Sequence, residues 1–316
     1  MKSVGKLDTQ TKQYISNPQI FADAFNYLLY NGEQIIRPET LRPVDTTEVI
    51  VPYGNGARTP VQKYRDNMKI WTAMQDSKAV YVLLGSENQS SIHYAMPVKD
   101  MLYDSINYAA QVDAARQSYR NFRFDDDGVK IKLTQAEFLS GFRKGDKLIP
   151  VITAVIYFGS EKWDAPMSIH EMLDVDERLL PFIPNYRINL IAPANIEDGD
   201  FDSKFHTGFG TLLNVIKHQN SVNVADILRR VGTVDSASAD MIAEIANIKF
   251  ERVTDEKGEI DMCKGMEEYT LKTKILGAIE AFKLVGKTEE EIIQLIVENY
   301  HVTIDYVKNL LLPVSA

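Results

Sequence analysis

Residues 64–103 read YRDNMKIWTAMQDSKAVYVLLGSENQSSIHYAMPVKDMLY, and the fold turns on how this stretch pairs with itself. Two runs rich in Val, Ile, Leu, Tyr and Trp flank a short polar turn at Gln75 to Lys78, which is the pattern of a β-hairpin. A helix opens after the second run, with Pro97 in its first turn, where a missing N–H costs nothing. Asp66 stands near the start of the first strand and Glu87 at the end of the second. Side chains alternate along a strand, so Glu87 and Gln89 share a face with Cβ atoms about 6–7 Å apart. Pairing across the hairpin would bring Asp66 to Glu87, setting two carboxylates near the mouth of the helix.

Working outward, the 316 residues suffice for one large domain and a smaller one, with an apolar fraction of 45% that is ordinary for a globular chain. The single cysteine, Cys263, rules out an intrachain disulfide and fits a reducing compartment. Met1 to Gln13 has no apolar core of signal-peptide length, and no run approaches 18 apolar residues, so a soluble cytoplasmic protein is expected. The formal charge of −9 argues against a surface that coats nucleic acid broadly, because phosphate binding relies on Lys and Arg. A local basic cleft stays compatible with it.

N-terminal to the hairpin, a helix is predicted from Asn17 to Tyr30, capped by Asn17 and started by Pro18, with Phe21, Ala24, Phe25, Leu28 and Leu29 on one face. Asp23 lies off that stripe and reads as a solvated acid; Asn26 follows three residues later. Gly32 closes the helix, Thr46 to Pro52 reads as a first strand, and a Gly54-Asn55-Gly56 loop leads into the hairpin.

C-terminal to the hairpin, Met101, Leu102, Ile106, Ala109 and Val112 continue the helix to about Arg120. Lys99 falls in its first turn, where a cation can hold a phosphate or polarise water; the plainer reading is a surface lysine. Asn121 to Lys147 reads as an exposed insertion, and its Asp125-Asp126-Asp127-Gly128 lacks the ligand spacing of a calcium loop. Leu148 to Phe158 is apolar enough for a buried strand, Arg187 to Ala192 gives another, and Ser203 to His218 a helix. The resulting order is helix, three strands, helix, strand. Beyond residue 220 the character turns helical: 224–231, 237–248, 262–285, 289–298 and 303–311, with Thr288 and Glu291 as a capping box. The last two helices have the outline of a helix-turn-helix, but Asp305, Lys308 and Asn309 give the would-be reading helix one cation, which favours a packing or oligomerisation module.

Other chemistries find no support. The five histidines show neither H-x-H nor H-E-x-x-H spacing, and there is no G-x-S-x-G, Walker sequence or G-x-G-x-x-G after a strand. The paired carboxylates are the chemistry that remains.

Several ordered segments resemble the PD-(D/E)xK nuclease fold, and within it the Rpn family, also described as YhgA-like putative transposases. They are Phe21-Ala22-Asp23-Ala24-Phe25-Asn26, Asp66, Glu87-Asn88-Gln89, Met96-Pro97-Val98-Lys99, and Pro150-Val151-Ile152 through Tyr157-Phe158-Gly159 to Trp163. The resemblance spans about residues 10 to 195. It departs from the family pattern in carrying Gln89 for the usual Lys and Lys99 for Arg.

The resemblance implies an α/β protein with a PD-(D/E)xK restriction-endonuclease-like αβββαβ core over residues 1–220 and a helical C-terminal module over 221–316. It implies a metal-dependent endonuclease of the recombination-promoting, transposase-like type, associated with mobile elements. Asp66, Glu87 and the backbone carbonyl of Asn88 would hold Mg²⁺, or Mn²⁺ in its place. Gln89 would orient water or substrate, and Lys99 or Arg65 would supply the charge that Gln89 lacks. Asp23 and Asn26 would give support from the first helix. The partner implied is double-stranded DNA, with a homodimer as the arrangement that cuts both strands. The alternative is a catalytically inactive nuclease-fold protein that engages a protein partner through its acidic surface and helical C-terminal region. A basic cleft around Asp66 and Glu87 would favour the first reading and an acidic edge the second.

Overall fold

The computed structural model describes residues 4–44, 47–50, 61–64, 66–75, 78–121, 132–220 and 224–311. The chain is a mixed α/β protein that divides into two compact units, Met1–Asn220 and Ser221–Ala316.

The first unit begins with a helix the sequence reading lacked, α1 (Val4–Ser16). Its apolar content is sparse, and it is anchored by Thr11, Tyr14 and Ile15, all buried. Helix α2 (Pro18–Tyr30) follows as predicted: Asn17 is extended, its side chain accepts from the Gln19 N–H at 2.9 Å, and Pro18 occupies the first turn. The left-handed cap is Asn31 (φ 53°), one residue before Gly32. Gly32 also has a left-handed backbone (φ 95°), and a Cβ there would fall 2.7 Å from Lys204 Cα, so the position requires glycine twice over.

The buried face of α2 is wider than its apolar stripe, since Asp23 and Asn26 are enclosed with Phe21, Ala22, Ala24 and Phe25. The Asn26 amide donates to the Ile36 carbonyl at 2.9 Å and accepts from the Ile36 N–H at 2.8 Å, replacing the backbone partners that this stretch would find in a sheet. Asn26→Ala is therefore expected to cost about 2 kcal/mol, because two buried backbone groups lose their partner. The check is a lower urea midpoint at unchanged slope; an unchanged midpoint would mean that water replaces the amide.

After α2 come β1 (Leu41–Pro43), β2 (Thr47–Ile50), β3 (Val61–Tyr64), β4 (Asn67–Gln75) and β5 (Lys78–Gln89). Helix α3 (Met96–Asn121) crosses over, a short α4 (Gln135–Ser140) follows, and β6 (Val151–Tyr157) and β7 (Asn189–Ile191) complete the sheet. The five-stranded order is β1-β4-β5-β6-β7, antiparallel on the hairpin side and parallel from β5 through β7. The strand predicted at Thr46 to Pro52 appears as β2, but it pairs with β3 outside this sheet; the three-residue β1 takes the edge beside β4. Polar 121–147 is also not all loop, since Thr134 and Glu137 form a capping box that starts α4. Its Asp125 to Asp127 lie outside the described residues.

Both faces of the sheet are covered. Asn67 and Lys69 of β4 face α1, while Met68 faces α3, where the Asn107 amide reaches its sulfur. On the α3 side Met96, Val155, Tyr157, Trp163, Ala165 and Ile188 form one apolar cluster. The predicted helix Ser203 to His218 is broken into α5 (Asp200–Ser203) and α6 (Gly208–His218), with Thr207 capping the second. Phe209, Leu212, Leu213, Val215 and Ile216 of α6 are fully buried, and α6 packs against α2.

The second unit contains α7 (Val224–Leu228), β8 (Thr233–Val234), α8 (Ser236–Ala246), β9 (Ile260–Asp261), α9 (Met262–Leu284), α10 (Glu289–Tyr300) and α11 (Ile304–Leu311). The paired β8 and β9 were not foreseen. Both halves of the Thr288–Glu291 capping box are present, and Ile275, Ile279, Ile292, Ile296 and Val307 form the core of the last three helices. No helix among the described residues is long and apolar enough to cross a membrane.

Candidate functional site

The hairpin register determines what meets at its open end. Asn67 pairs with Ser86, so the next position on each strand sets Asp66 level with Glu87. Asp66 sits in the bend before β4 and accepts a hydrogen bond from the Asn88 N–H at 2.8 Å. This ties its carboxylate to the neighbouring strand and fixes its orientation.

Glu87 is 2% exposed and faces α3, where Lys99 Nζ lies 2.8 Å from its Oε2. Lys99 is placed there by the first turn of α3, which starts at Met96 with Pro97. Burial works against the Lys99 charge, but the Glu87 carboxylate outweighs it by charge and hydrogen bond, with smaller contributions from Tyr103 and Asp66, and holds the ammonium above its ordinary 10.5. One lysine thus answers to both carboxylates.

A cleft of about 280 Å³ opens beside this pair, lined by Asp8, Asp66, Asn88, Gln89, Ser90, Ser91 and Lys99. Glu87 lies behind Lys99 and does not line it. Two of these residues' partners come from α1, which sequence reasoning missed. Asp8 accepts from Ser90 Oγ at 2.8 Å, and Lys12 Nζ stands 3.6 Å from Asp66 Oδ1. The available signal was polar: Asp8, Lys12 and Ser16 recur every four residues and so share one helix face. Among the described residues Asp8, Asp66 and Glu87 stand with Lys99 and Lys12, so both signs of charge meet here and neither a basic groove nor a purely acidic edge forms.

The remaining candidates lie elsewhere or are already engaged. Asp23 is 1% exposed, which corrects the solvated reading. Its carboxylate accepts from the His206 N–H, the Thr207 N–H and Thr207 Oγ1, at 2.6 to 3.1 Å. Asn26 is occupied by Ile36, as above, so the side-chain oxygens of both α2 residues are already engaged by protein donors. Arg65 lies outside the described residues. The side-chain nitrogen and oxygen of Asn88 are enclosed without a hydrogen-bond partner among the described residues.

The donor set can be tested against a metal. Among the described residues no three His, Cys, Asp or Glu side chains gather as a metal cage. Mg²⁺ needs less, because it keeps several waters and is commonly held by one or two carboxylates together with substrate phosphate. Asp66, on the open polar cleft, fits that demand, and Glu87, level with it on the neighbouring strand but enclosed and ion-paired with Lys99, is the second carboxylate at the same register step.

No curated protein and no solved structure matches the chain significantly. A family model does, and its segment begins ahead of α4, takes in β6, β7 and α6, and ends within α8; Asp66, Glu87 and Lys99 precede it. Over residues 132–243 the chain matches the family described as "Putative transposase, YhgA-like", the same family that the ordered motifs of its sequence resemble.

Proposed function

We propose that the protein is a metal-dependent DNA endonuclease of the recombination-promoting, transposase-like type, built on a PD-(D/E)xK core. The observation that carries this reading is the meeting of Asp66 and Glu87 at one step of the hairpin, with Lys99 electrostatically linked to both. The family match over residues 132–243 supports it from a separate part of the chain.

Asp66 and Glu87, with the backbone carbonyl of Asn88, would hold Mg²⁺ or Mn²⁺. A bound ion of this kind supplies a low-pKa water and stabilises charge on phosphate oxygens. The chain's own residues do the positioning. The Asn88 N–H keeps Asp66 aimed, and Lys99 gives the enclosed Glu87 a cationic partner at 2.8 Å. Gln89, on the cleft, offers a neutral amide that both donates and accepts, which suits it to orient an attacking water and leaves charge neutralisation to lysine.

Nicking of supercoiled plasmid by purified protein in Mg²⁺, Mn²⁺ or EDTA tests the proposal. Metal-dependent nicking is expected from the wild type and lost in both Asp66→Ala and Glu87→Gln, with circular dichroism showing that the variants stay folded. Equal cleavage by all three proteins would sink the site assignment. Absence of cleavage with every metal would favour a nuclease fold kept as a protein-interaction module.

A further inference from the structure

We propose that Lys12, on α1, is the cation that contacts the scissile phosphate, taking the charged role that Gln89 cannot fill. This rests on the nuclease reading and adds to it a residue from an element outside the hairpin and α3.

The first argument is placement. Helix α1 is fastened along the site by three polar rungs spaced one helical turn apart. Ser90 Oγ donates to Asp8 at 2.8 Å, the Asn67 amide donates to the Lys12 carbonyl at 3.1 Å, and Lys69 Nζ donates to the Ser16 carbonyl at 3.0 Å. The middle rung is formed by the residue that follows Asp66, and it grips α1 at Lys12 itself. The last rung sets a cation on the final carbonyl of α1, where the helix dipole favours it. Residue 12 is therefore held at a defined height against residue 66, and its side chain is not simply one surface lysine among many.

The second argument is availability. Lys99 is committed to Glu87 at 2.8 Å, and Glu87 is enclosed, so withdrawing that ammonium to serve a phosphate would break an ion pair at a buried carboxylate. Lys12 is in the opposite situation. Its side chain is 46% exposed, and its 3.6 Å approach to Asp66 is an ion pair longer than a charge-assisted hydrogen bond. Its N–H donors remain open to a phosphate oxygen arriving beside Asp66. The two lysines then divide the work: Lys99 stabilises Glu87 in place, and Lys12 meets the substrate.

The experiment compares wild type, Lys12→Gln, Lys12→Arg and Asp66→Ala. It uses single-turnover cleavage of a labelled duplex, duplex binding with Ca²⁺ in place of Mg²⁺, and Mn²⁺ binding followed by electron paramagnetic resonance. Lys12→Gln is expected to slow cleavage about 100-fold, the scale of losing one preorganised transition-state contact. Its duplex affinity should change only about twofold, since one phosphate contact among many is lost. Lys12→Arg should recover most of the rate. Mn²⁺ binding to Lys12→Gln should be at least as tight as to wild type, because a positive charge beside Asp66 is gone. If Lys12→Gln cleaves like wild type while Asp66→Ala is dead, the nuclease reading stands and the Lys12 assignment falls. If Lys12→Gln loses Mn²⁺ binding, Lys12 only props up Asp66 and the assignment also falls. A wild type that cleaves nothing with any metal removes the nuclease reading, and this role with it.

Discussion

Lys99→Met is expected to destabilise the protein by about 3 kcal/mol, within the range for breaking one side of a buried ion pair. Glu87 is 2% exposed and Lys99 Nζ lies 2.8 Å from it, so removing the ammonium leaves a carboxylate enclosed without its cation. Methionine keeps an apolar stem of similar length, so the loss is electrostatic: the ion pair with Glu87 and the weaker approach of Nζ to the Tyr103 ring, 5.8 Å from its centroid. The double variant Glu87→Gln/Lys99→Met should accordingly lie close in stability to Glu87→Gln alone. Urea unfolding of the four proteins gives the coupling directly. Adding Mg²⁺ should raise the stability of Lys99→Met more than that of wild type, because a divalent cation near Asp66 and Glu87 replaces the missing charge. A Lys99→Met protein as stable as wild type would show that Glu87 draws its support from elsewhere. No change on adding Mg²⁺ would count against a metal at these carboxylates.

The pairing that creates this site was legible in the sequence because it is local. Strand alternation places Glu87 and Gln89 on one face, a short turn fixes which residues face each other, and the observed register of Asn67 with Ser86 follows from both. Pro97 announced the start of α3, and with it the position of Lys99. What could not be read was the contribution of α1. Helical periodicity in apolar residues is weak there, and the face that matters, Asp8, Lys12 and Ser16, is recognised only against partners on β4 and the end of β5.

The fold shows the same division. Strands β4, β5 and β6 carry strong apolar runs, and α2 carries its own cap. The edge strand β1 is three residues long and has one buried side chain, too little to register as a pattern, whereas 46–52 has the β-branched composition of a strand and its described part, β2, pairs with β3 outside the main sheet. The break between α5 and α6 was hidden for a related reason. Residues 203–218 can read as one helix, but Thr207 adopts an extended backbone and its N–H turns toward Asp23. That acceptor lies 184 residues away in sequence, beyond the reach of any local rule.

Asp23→Ala is the test of that long-range contact, with an expected cost of about 3 kcal/mol, since each buried donor left without its acceptor costs roughly 1–3. The His206 and Thr207 N–H groups and the Thr207 hydroxyl all converge on this one carboxylate. They stand at the start of α6, whose buried Phe209, Leu212 and Ile216 belong to the core, so the loss should loosen α6 against α2. Thr207 still accepts from the Phe209 N–H, which limits the damage to the junction. Burial, the largest influence, pushes the Asp23 carboxyl above its ordinary 3.8 despite these donors. A raised folded-state value means that the contribution of the group is full below 3.8 and declines as pH rises through the raised value. The stability gap between wild type and Asp23→Ala should therefore be widest at acid pH and narrow toward neutrality as the enclosed carboxyl ionises. Urea unfolding of both proteins at pH 4 and pH 7 measures it, with amide exchange at Thr207 and Phe209 reporting the local opening. A gap that widens toward neutral pH would mean that the hydrogen bonds to the ionised carboxylate prevail over its burial, and a gap near zero would remove Asp23 as the anchor of α6.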